Sequence, residues 1–431
     1  MSRSRVLNLV LALLASLGTI TAAAAQSVTL EYWTYSSGGG TTEYEQTLEF
    51  LETFYARNPN VRIELRHLTG SDIENAFVVA SAAGVAPDVI DISLLNYYDW
   101  VSSGLLLDLT PFMERDPHIK MEFWPPWELD RSIVNGGMYE IPFEYEWLVL
   151  YYHKGAFDEA GLPAPPVSSD TPWPWAEFAA TAKRLTVSNS DGSIQRAGLG
   201  MAVGSIYRME PLARMFGGKV YDEVENRYTF ASRETLEAVA AILEMIQTDQ
   251  SMRPGGAGAG IDGMPRGEVA MVIDPQTYAD RWLAQRDFSD FGFGALPSGP
   301  AGSYTLGTAF SIGISSQSDK QDLAWQFVKA RLLDKMGLYA TDEEIPEKYS
   351  LAYQVRNKYG HLEFYPAMVE NTIQFTERSL VPWIVHKGYQ QVLGLVQGAL
   401  GSVFRLEAGI HTLQEAERAA NARLEEIQNA N

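Results

Sequence analysis

The sequence contains no cysteine in its 431 residues. This absence excludes disulfides, thiolate metal sites and cysteine nucleophiles. Histidine is also scarce: the six histidines are scattered, and none belongs to the His-Glu-x-x-His pattern of a zinc hydrolase. A Gly-x-x-x-x-Gly-Lys-Ser/Thr phosphate loop is missing as well. We therefore expect no metal ion and no cofactor.

Positively charged residues are also fewer than negatively charged ones. Lys and Arg number 33 against 54 Asp and Glu, which gives a formal net charge of −21. A surface of this sign argues against nucleic acid or an anionic membrane as a partner. Beyond residue 20, no window approaches the roughly 18 apolar residues that a membrane-spanning helix needs.

The first 25 residues have the pattern of a secretory signal peptide. Arg3 and Arg5 precede an apolar stretch at 6–20, and the alanines at 23–25 supply a cleavage site. The stretch is too short and wrongly flanked for a membrane anchor. Removing residues 1–25 takes away two Arg and no acid, so the net charge falls from −21 to −23. We expect export to a bacterial periplasm and, without a cysteine to carry lipid, a soluble product with no lipid anchor.

Length favours two domains, because a single core stops growing near roughly 250–300 residues. The first part alternates strand and helix patterns. It predicts strands at 28–33, 61–65 and 87–92 and helices at 42–57 and 72–83, the first helix with an apolar stripe of Tyr44, Leu48, Leu51 and Tyr55. This order predicts an α/β fold with a mostly parallel sheet, whose ligands bind at the carboxyl ends of the strands.

Residues 141–154 form the most informative stretch, IPFEYEWLVLYYHK. A nearly continuous apolar and aromatic run is typical of a strand covered on both faces. Glu144 and Glu146 interrupt it, and residues two apart share one face of a strand. Buried carboxylates are costly unless they are paired or hydrogen-bonded. Two interpretations remain for these two carboxylates. They lie at a strand end, where water solvates them or arginine pairs with them, or they face a polar ligand in a cleft.

Later elements are marked by periodicity and by candidate caps. We predict strands and helices in the second part at 176–185, 233–246, 271–273, 311–314, 322–333 and 412–427. Thr110, before Pro111, and Thr412, with Glu415, are predicted helix caps.

Several motifs together resemble a known family. They are YWTYSSGG at 32–39, GVAPDVI at 84–90, SGLLLDLTPFM at 103–113, NGGMYEIPF at 135–143, YYHKGAFDEAGLPAPP at 151–166, GEVAMVI at 267–273 and DLAWQFVKARL at 322–332. In this order they resemble the bacterial extracellular solute-binding proteins of family 1, the maltose-binding-like component of sugar ABC importers. His153 replaces the usual Asn of the YNK signature, and Pro174 replaces a usual capping Thr, so Thr171 is the expected cap of the 176–185 helix.

The resemblance implies a two-lobed periplasmic binding protein of type II, with a mostly parallel sheet in each lobe and hinge crossovers between them. The implied N-terminal lobe is 26–141 plus 303–352, and the C-terminal lobe is 142–302 plus 353–431. Such a protein is not an enzyme. It captures a carbohydrate by hinge closure as a monomer and delivers it to a membrane permease.

Sugar rings have apolar faces and hydroxyl rims, so a sugar site needs aromatic platforms together with carboxylates and amides. In the first lobe, the expected ligand-binding residues at strand ends are Trp33, Tyr35, Asp91 and Asn96. The resemblance makes the strand at 141–154 the first crossing between the lobes. On this crossing strand and in the second lobe, position in the family adds Glu146, with Glu144 second, and then Asp274, Thr277, Tyr278 and Trp383.

Two alternatives stay open. A secreted glycoside hydrolase could use Glu144 and Glu146, whose same-face separation in a strand is about 7 Å. Two acids on one strand, however, approach a scissile bond from one side. The other alternative is a binding protein for a polyol or a glycerol-phosphate ester.

Overall fold

The computed structural model describes residues 27–36, 42–92, 94–256, 260–278, 290–341, 343–360, 380–382 and 386–430. The predicted signal peptide and Trp383 lie outside these residues. The strands are β1 (Val28–Ser36), β2 (Val61–Thr69), β3 (Val89–Ile92), β4 (Ile133–Val134), β5 (Gly137–Met138), β6 (Ile141–His153), β7 (Val187–Ser188), β8 (Ile194–Gly200), β9 (Tyr221–Asp222), β10 (Arg227–Tyr228), β11 (Val269–Pro275), β12 (Phe291–Gly294), β13 (Thr305–Ile314) and β14 (Leu380–Pro382).

The helices are α1 (Thr42–Arg57), α2 (Gly70–Ala83), α3 (Tyr97–Ser102), α4 (Thr110–Arg115), α5 (Pro126–Ser132), α6 (Lys154–Ala160), α7 (Trp175–Leu185), α8 (Ile206–Met215), α9 (Arg233–Gln247), α10 (Gln321–Lys335), α11 (Leu351–Tyr359), α12 (Tyr389–Phe404) and α13 (Thr412–Asn429). Short 3₁₀ turns include Leu94–Asn96 and Gln276–Tyr278. Within the described parts of the chain, no helix is long and apolar enough to cross a membrane.

One hydrogen-bonded sheet has the strand order β2-β1-β3-β13-β6-β11-β8-β7. β1 is parallel to both β2 and β3, and β8 is parallel to β11. Between these parallel sets lie β13 and β6, which are antiparallel to each other and to their outer neighbours β3 and β11. The predicted α/β fold is confirmed. The long strands β6 and β13 join its two parallel sets into a single sheet.

β6 is the predicted crossing strand, and both its faces are covered. Phe143, Tyr145 and Trp147 belong to one apolar cluster, which includes residues of α1, β3 and α10. Leu148 and Leu150 belong to another, which includes residues of α7, α8, α9 and α12. The alternation of a strand divides the two sets by odd and even residue number, so Glu144 and Glu146 start from the same face as Leu148.

The buried stripe predicted for α1 is partly wrong. Phe50, Leu51 and Phe54 are buried, whereas Leu48 is 41% exposed. Phe50 and Phe54 pack on Phe327 of α10, with ring centroids 5.5 and 5.1 Å apart. The sequence offers two neighbouring stripes at helical spacing, and the buried one has the wholly apolar rings of Phe50 and Phe54, whereas the tyrosines of the predicted one carry hydroxyls.

Thr110 and Thr412 were predicted as N-caps, and both predictions are wrong. Thr110 lies inside α4, and its hydroxyl accepts a hydrogen bond from the Met138 N–H at 3.1 Å. Thr412 lies inside α13, and its hydroxyl donates to the Gly409 carbonyl at 2.7 Å. In both cases a partner outside the first helical turn takes the hydroxyl that a cap would have used.

The prediction that Thr171 caps α7 is also wrong. The helix begins at Trp175 directly after Pro174, without a side-chain cap. The Trp175 N–H instead donates to the Ser298 carbonyl at 2.8 Å. A neighbouring segment therefore supplies an acceptor that the proline side chain cannot supply.

β8 and α8 carry no clear sequence signal. β8 includes Gly198 and Gly200, which are poor strand formers. α8 contains Pro211, which is unfavourable inside a helix, so the sequence does not predict a helix there. Both elements nevertheless position side chains at the candidate site.

The C-terminal helices α12 and α13 pack against each other, and α12 also contacts the turn Leu94–Asn96 that follows β3. Just before α12, the Gly388 N–H donates to the Asp99 carboxylate of α3 at 3.1 Å. This hydrogen bond joins the first part of the chain to its C-terminal part.

Candidate functional site

Two side-chain amides line one edge of the crossing strand where no described strand pairs with it. β11 pairs with β6 only from Leu148 onwards. The amide of Gln276 accepts from the Trp147 N–H and donates to the Tyr145 carbonyl, both at 2.8 Å. The amide of Gln354 accepts from the Tyr145 N–H and donates to the same carbonyl, both at 3.0 Å. These hydrogen bonds thus connect the loop after β11 and helix α11 to the middle of β6.

Glu146 lies at this point of β6. Its carboxylate accepts a hydrogen bond from the Thr277 hydroxyl at 2.6 Å. Burial raises the pKa of Glu146, and the charge of Glu144 adds to the rise. The bond from Thr277, the charge of Arg208 and a hydrogen bond from Tyr207 lower this pKa without cancelling the rise. Glu146 is therefore a partly exposed acceptor among hydroxyl groups.

Arg208 is held by Asp274. Arg208 stands in the first turn of α8, and Asp274 is near the end of β11. The Arg208 Nε donates to Asp274 Oδ1 at 3.1 Å, and a second guanidinium N–H donates to the same oxygen. Both side chains are largely buried, so the pair is a fixed part of the wall beside Glu146.

Tyr35 approaches from the carboxyl end of β1. Its ring lies 6.5 Å from that of Phe310 on β13. Burial raises the pKa of Tyr35 well above its usual value, and the charges of neighbouring carboxylates raise it further, with Glu146 among them. Tyr35 on β1 and Thr277 in the β11 turn, 111 and 131 positions away from Glu146 in the sequence, therefore lie in its neighbourhood.

Glu144 has a different partner from Glu146. Its carboxylate pairs with Lys335 at the end of α10, at 2.7 Å. The pair lines a cavity of about 270 Å³, whose other lining residues are Gln46, Glu49, Phe50, Asp334 and Gln354. The two acids thus leave the same strand towards different neighbours, one towards α10 and one towards the β11 turn.

Residues 38–335 match the model of the family described as bacterial extracellular solute-binding protein. The chain belongs to this family. A putative binding protein of Brucella abortus is 23% identical over 286 residues, which are 64% of this chain and 66% of that protein. The match thus spans slightly less than two thirds of the Brucella protein.

Solved structures show the same fold. An ABC substrate-binding protein from Listeria monocytogenes, in complex with cycloalternan, has a TM-score of 0.74 at 18% identity, covering 92% of this chain and 99% of that one. A solute-binding protein from Thermotoga lettingae, bound to α-D-tagatose, has a TM-score of 0.73 at 18% identity, covering 92% and 100%. The fold of this solute-binding protein is thus the two-lobed fold that the sequence motifs predicted.

Trp33 and Asp91 were expected at the ligand, and the structure gives both of them partners inside the protein. Trp33 is only 3% exposed, donates to Glu31 at 2.6 Å and lies under the Arg66 guanidinium at 4.4 Å. The two oxygens of Asp91 accept from the hydroxyls of Tyr32 and Thr34, at 2.7 and 2.5 Å. Asp91 thus joins β3 to β1, and Trp33 contacts Arg66 of β2, so these contacts favour a structural role for both residues over contact with a solute.

Asn96, Thr277 and Tyr278 lie on two short 3₁₀ turns. The Asn96 Nδ2 is buried and has no hydrogen-bond partner among the described residues, which suits a donor that waits for a ligand or a water. Thr277 and Tyr278 follow β11 directly, and Thr277 binds Glu146. The expected role of Trp383 falls outside the described residues and stays a prediction.

Sequence reasoning missed Tyr207, Arg208, Gln276 and Gln354. Tyr207 and Arg208 lie beyond the carboxyl end of a parallel strand, where ligands collect, but neither β8 nor α8 was predicted, so this position could not be recognised from the sequence. The two glutamines had no signal, because their function is to pair with the backbone of a strand far away in sequence.

Proposed function

We propose that this chain is the solute-binding component of an ABC importer and that it captures a saccharide or a related polyol between its two lobes. The lobes would be 26–141 plus 303–352 and 142–302 plus 353–431. The observation that carries the proposal is the group around Glu146, in which Tyr35 and Thr277 come from opposite sides of the crossing strand. Membership of the family supports it, as do the sugars bound to the Listeria and Thermotoga relatives.

The chemistry of this group suits a hydroxylated ligand. Glu146 offers an acceptor for ligand hydroxyls, while Asn96 offers a donor. Tyr35 and Tyr278, with Trp383 as a further candidate, would supply flat faces for the apolar side of a sugar ring. A few such contacts suffice for a micromolar dissociation constant, about −8 kcal/mol.

Binding would be coupled to closure of the lobes. A ligand shifts the equilibrium between open and closed forms only as far as it binds the two forms differently. A solute that touches Tyr35 on one side and Thr277 on the other meets this condition. The hydrogen bond from Gly388 to Asp99 is of the kind that would form on closure, because it joins α12 to α3.

The cellular setting follows from the family and the N-terminal sequence. We propose export by a cleaved signal peptide, a periplasmic location as a monomer without a lipid anchor, and transient docking of the closed form on a membrane permease. The expected absence of catalysis belongs to the same proposal.

The hydrolase alternative is disfavoured by the partner of Glu144. A glycosidase needs two carboxyl groups that flank one bond. Here Glu144 is bound to Lys335 on the α10 side, whereas Glu146 is bound to Thr277 on the β11 side. An oligosaccharide incubated with the protein should therefore be recovered intact.

A thermal-shift screen against mono-, di- and trisaccharides and polyols tests the proposed function. A ligand present at 100 times its dissociation constant should stabilise the protein by about 2.7 kcal/mol. The Glu146→Gln variant should show a much smaller shift with the same compound. If no compound in this panel raises the unfolding midpoint of the wild type, the proposal fails.

A further inference from the structure

Three described cations near Glu144 and Glu146 are each held by a carboxylate. Arg208 binds Asp274, Lys335 binds Glu144, and Arg331 binds Asp334 at 3.1 Å. A phosphate or carboxylate ligand is normally held by a cation that has no such fixed partner. Among the described residues, the exposed Arg66 has no carboxylate partner, but its guanidinium lies over the Trp33 ring and not beside Glu146.

Carboxylates near the site outnumber these cations. Glu146 has Thr277 as its hydrogen-bond donor, and no described Lys or Arg lies within salt-bridge distance of it. Beyond it, Glu128 and Glu140 share the single buried Arg131, whose guanidinium lies 2.9 Å from Glu140. Asp91 adds a carboxylate whose oxygens are occupied by two hydroxyls.

The pKa of Tyr35 indicates the sign of the electrostatic potential that these carboxylates create at the site. After burial, the largest influences on the pKa of this phenol come from acids, and each raises it: Asp91, Glu74, Glu146 and Glu140. A ligand that contacts Tyr35 would lie among the same charges. The positive end of α8 is a described feature that attracts an anion, and Glu146 already lies against that first turn.

We propose that the site selects solutes by charge: it accepts neutral and amine-bearing saccharides and polyols, and it rejects phosphorylated or carboxylated ones. This inference rests on the proposed function and narrows it, because it removes glycerol-phosphate esters from the ligand class. Specificity of this kind comes from repulsion of the wrong ligand as much as from attraction of the right one.

Calorimetric titration with charge-matched probes tests the proposal. The probes are glucose with glucosamine and glucose 6-phosphate, maltose with maltose 6′-phosphate, and glycerol with glycerol 3-phosphate. In the set that binds, the phosphate should bind about 100-fold more weakly than its neutral parent, as expected for like charges several ångström apart at a low effective dielectric constant. The amine should bind at least as tightly as the parent.

Two variants test whether discrimination against the phosphates depends on the Arg208–Asp274 pair. Asp274→Asn removes the partner of Arg208. It should reduce the ratio of the dissociation constants of the phosphate and its neutral parent by about tenfold, since an unpaired guanidinium attracts the phosphate. Glu237→Gln makes the same change in net charge on an exposed part of α9 and should leave the ratio unchanged. Unfolding midpoints of both variants establish that they are folded.

The outcomes separate the two proposals. If a phosphate binds as tightly as its parent, charge selection is overturned while uptake of a hydroxylated solute stands. If both variants keep the wild-type ratio, the Arg208–Asp274 pair is not a determinant and the inference is likewise overturned. If none of the probes binds, and the larger saccharide panel also fails, the proposed function is lost and the charge inference with it.

Discussion

Glu146 combines two properties that normally exclude each other. Its carboxylate sits where burial raises its pKa, yet it stays partly exposed and accepts a hydrogen bond from Thr277. A carboxylate that served packing alone would be better replaced by a neutral group of the same shape. Its cost makes sense if a ligand hydroxyl completes its hydrogen bonds.

Replacing this carboxylate should weaken binding strongly. Hydrogen bonds to charged groups contribute about 1.5–3 kcal/mol, so Glu146→Gln should raise the dissociation constant of the best saccharide roughly 10- to 100-fold. Calorimetric titration measures the change. The matched control is Glu177→Gln, on the exposed side of α7, which should bind like the wild type. Equal affinities for wild type and Glu146→Gln would remove Glu146 from the site.

The same substitution should stabilise the unliganded protein at neutral pH. Because the folded-state pKa of Glu146 is raised above its ordinary value of 4.5, the ionised form costs stability. The advantage of Glu146→Gln should therefore be present at pH 7, shrink as the pH falls through the raised pKa, and vanish below about 4.5. Denaturant unfolding of both proteins across this range measures it. An advantage that does not change with pH would contradict the assignment.

The candidate site residues show what local sequence signals can and cannot indicate. Tyr35 and Glu146 could be proposed as ligand-binding residues because strand ends and an acid in an apolar run are local signals, and their role at a ligand stays a prediction. Trp33 gave the same signal as Tyr35, but its ring is turned into the apolar cluster around Ile90 and Phe77. Alternation tells which residues share a face of a strand; it does not tell which face is covered by a helix.

At the scale of elements, the crossing strand depends on glutamine side chains. Gln354 bonds both backbone groups of Tyr145 and also accepts from the Tyr349 hydroxyl at 2.8 Å. Gln354→Ala would leave these buried groups without partners and should lower the free energy of unfolding by about 1–3 kcal/mol. Gln414→Ala, on the exposed side of α13, is the control and should be close to neutral. Equal stability of the two variants would contradict the role given to Gln354.

The contact of α7 with β8 depends on a glycine. A Cβ at Gly198 would lie 1.7 Å from the Ala182 carbonyl oxygen of α7. Gly198→Ala should therefore destabilise the protein by about 2–3 kcal/mol or more, because the helix must move away. Gly394→Ala is the matched change, since a Cβ there meets no atom within 4 Å. On an exposed turn of α12 it should stabilise by up to about 1 kcal/mol. Denaturant midpoints that moved in the same direction for both would contradict this packing.

Elements with strong periodicity could be predicted, and those without it could not. The helix predicted at 233–246 is α9, with Ser232 as its cap, and the strand predicted at 271–273 is the centre of β11. β8 was not predicted because its two glycines are poor strand formers, and α8 was not predicted because it contains Pro211. The cap predictions failed because the Thr110 hydroxyl binds the distant Met138 N–H, whereas the Thr412 hydroxyl binds the Gly409 carbonyl just before the helix.

At the scale of the whole molecule, β6 and β13 are the two long strands that connect the parallel sets. A pair of crossing strands allows the two halves to move about a hinge while the backbone hydrogen bonds within each half are kept. The polar group around Glu146 lies at this crossing, so a ligand there can contact both halves. The family membership supports this arrangement, and the lobe boundaries remain part of the proposal.

Distances between the lobes test the central claim, that a bound solute closes them. Because the chain has no cysteine, spin labels can be attached at introduced cysteines alone. Val79 is 69% exposed on α2, and Val224 is 86% exposed between β9 and β10, so one label falls in each proposed lobe. The control pair, Glu52→Cys with Val79→Cys, lies within the first lobe.

Pulsed electron resonance should give a Val79–Val224 distance that changes on addition of a saturating saccharide, while the Glu52–Val79 distance stays fixed. A saccharide that binds saturably and leaves both distances unchanged would contradict capture by closure.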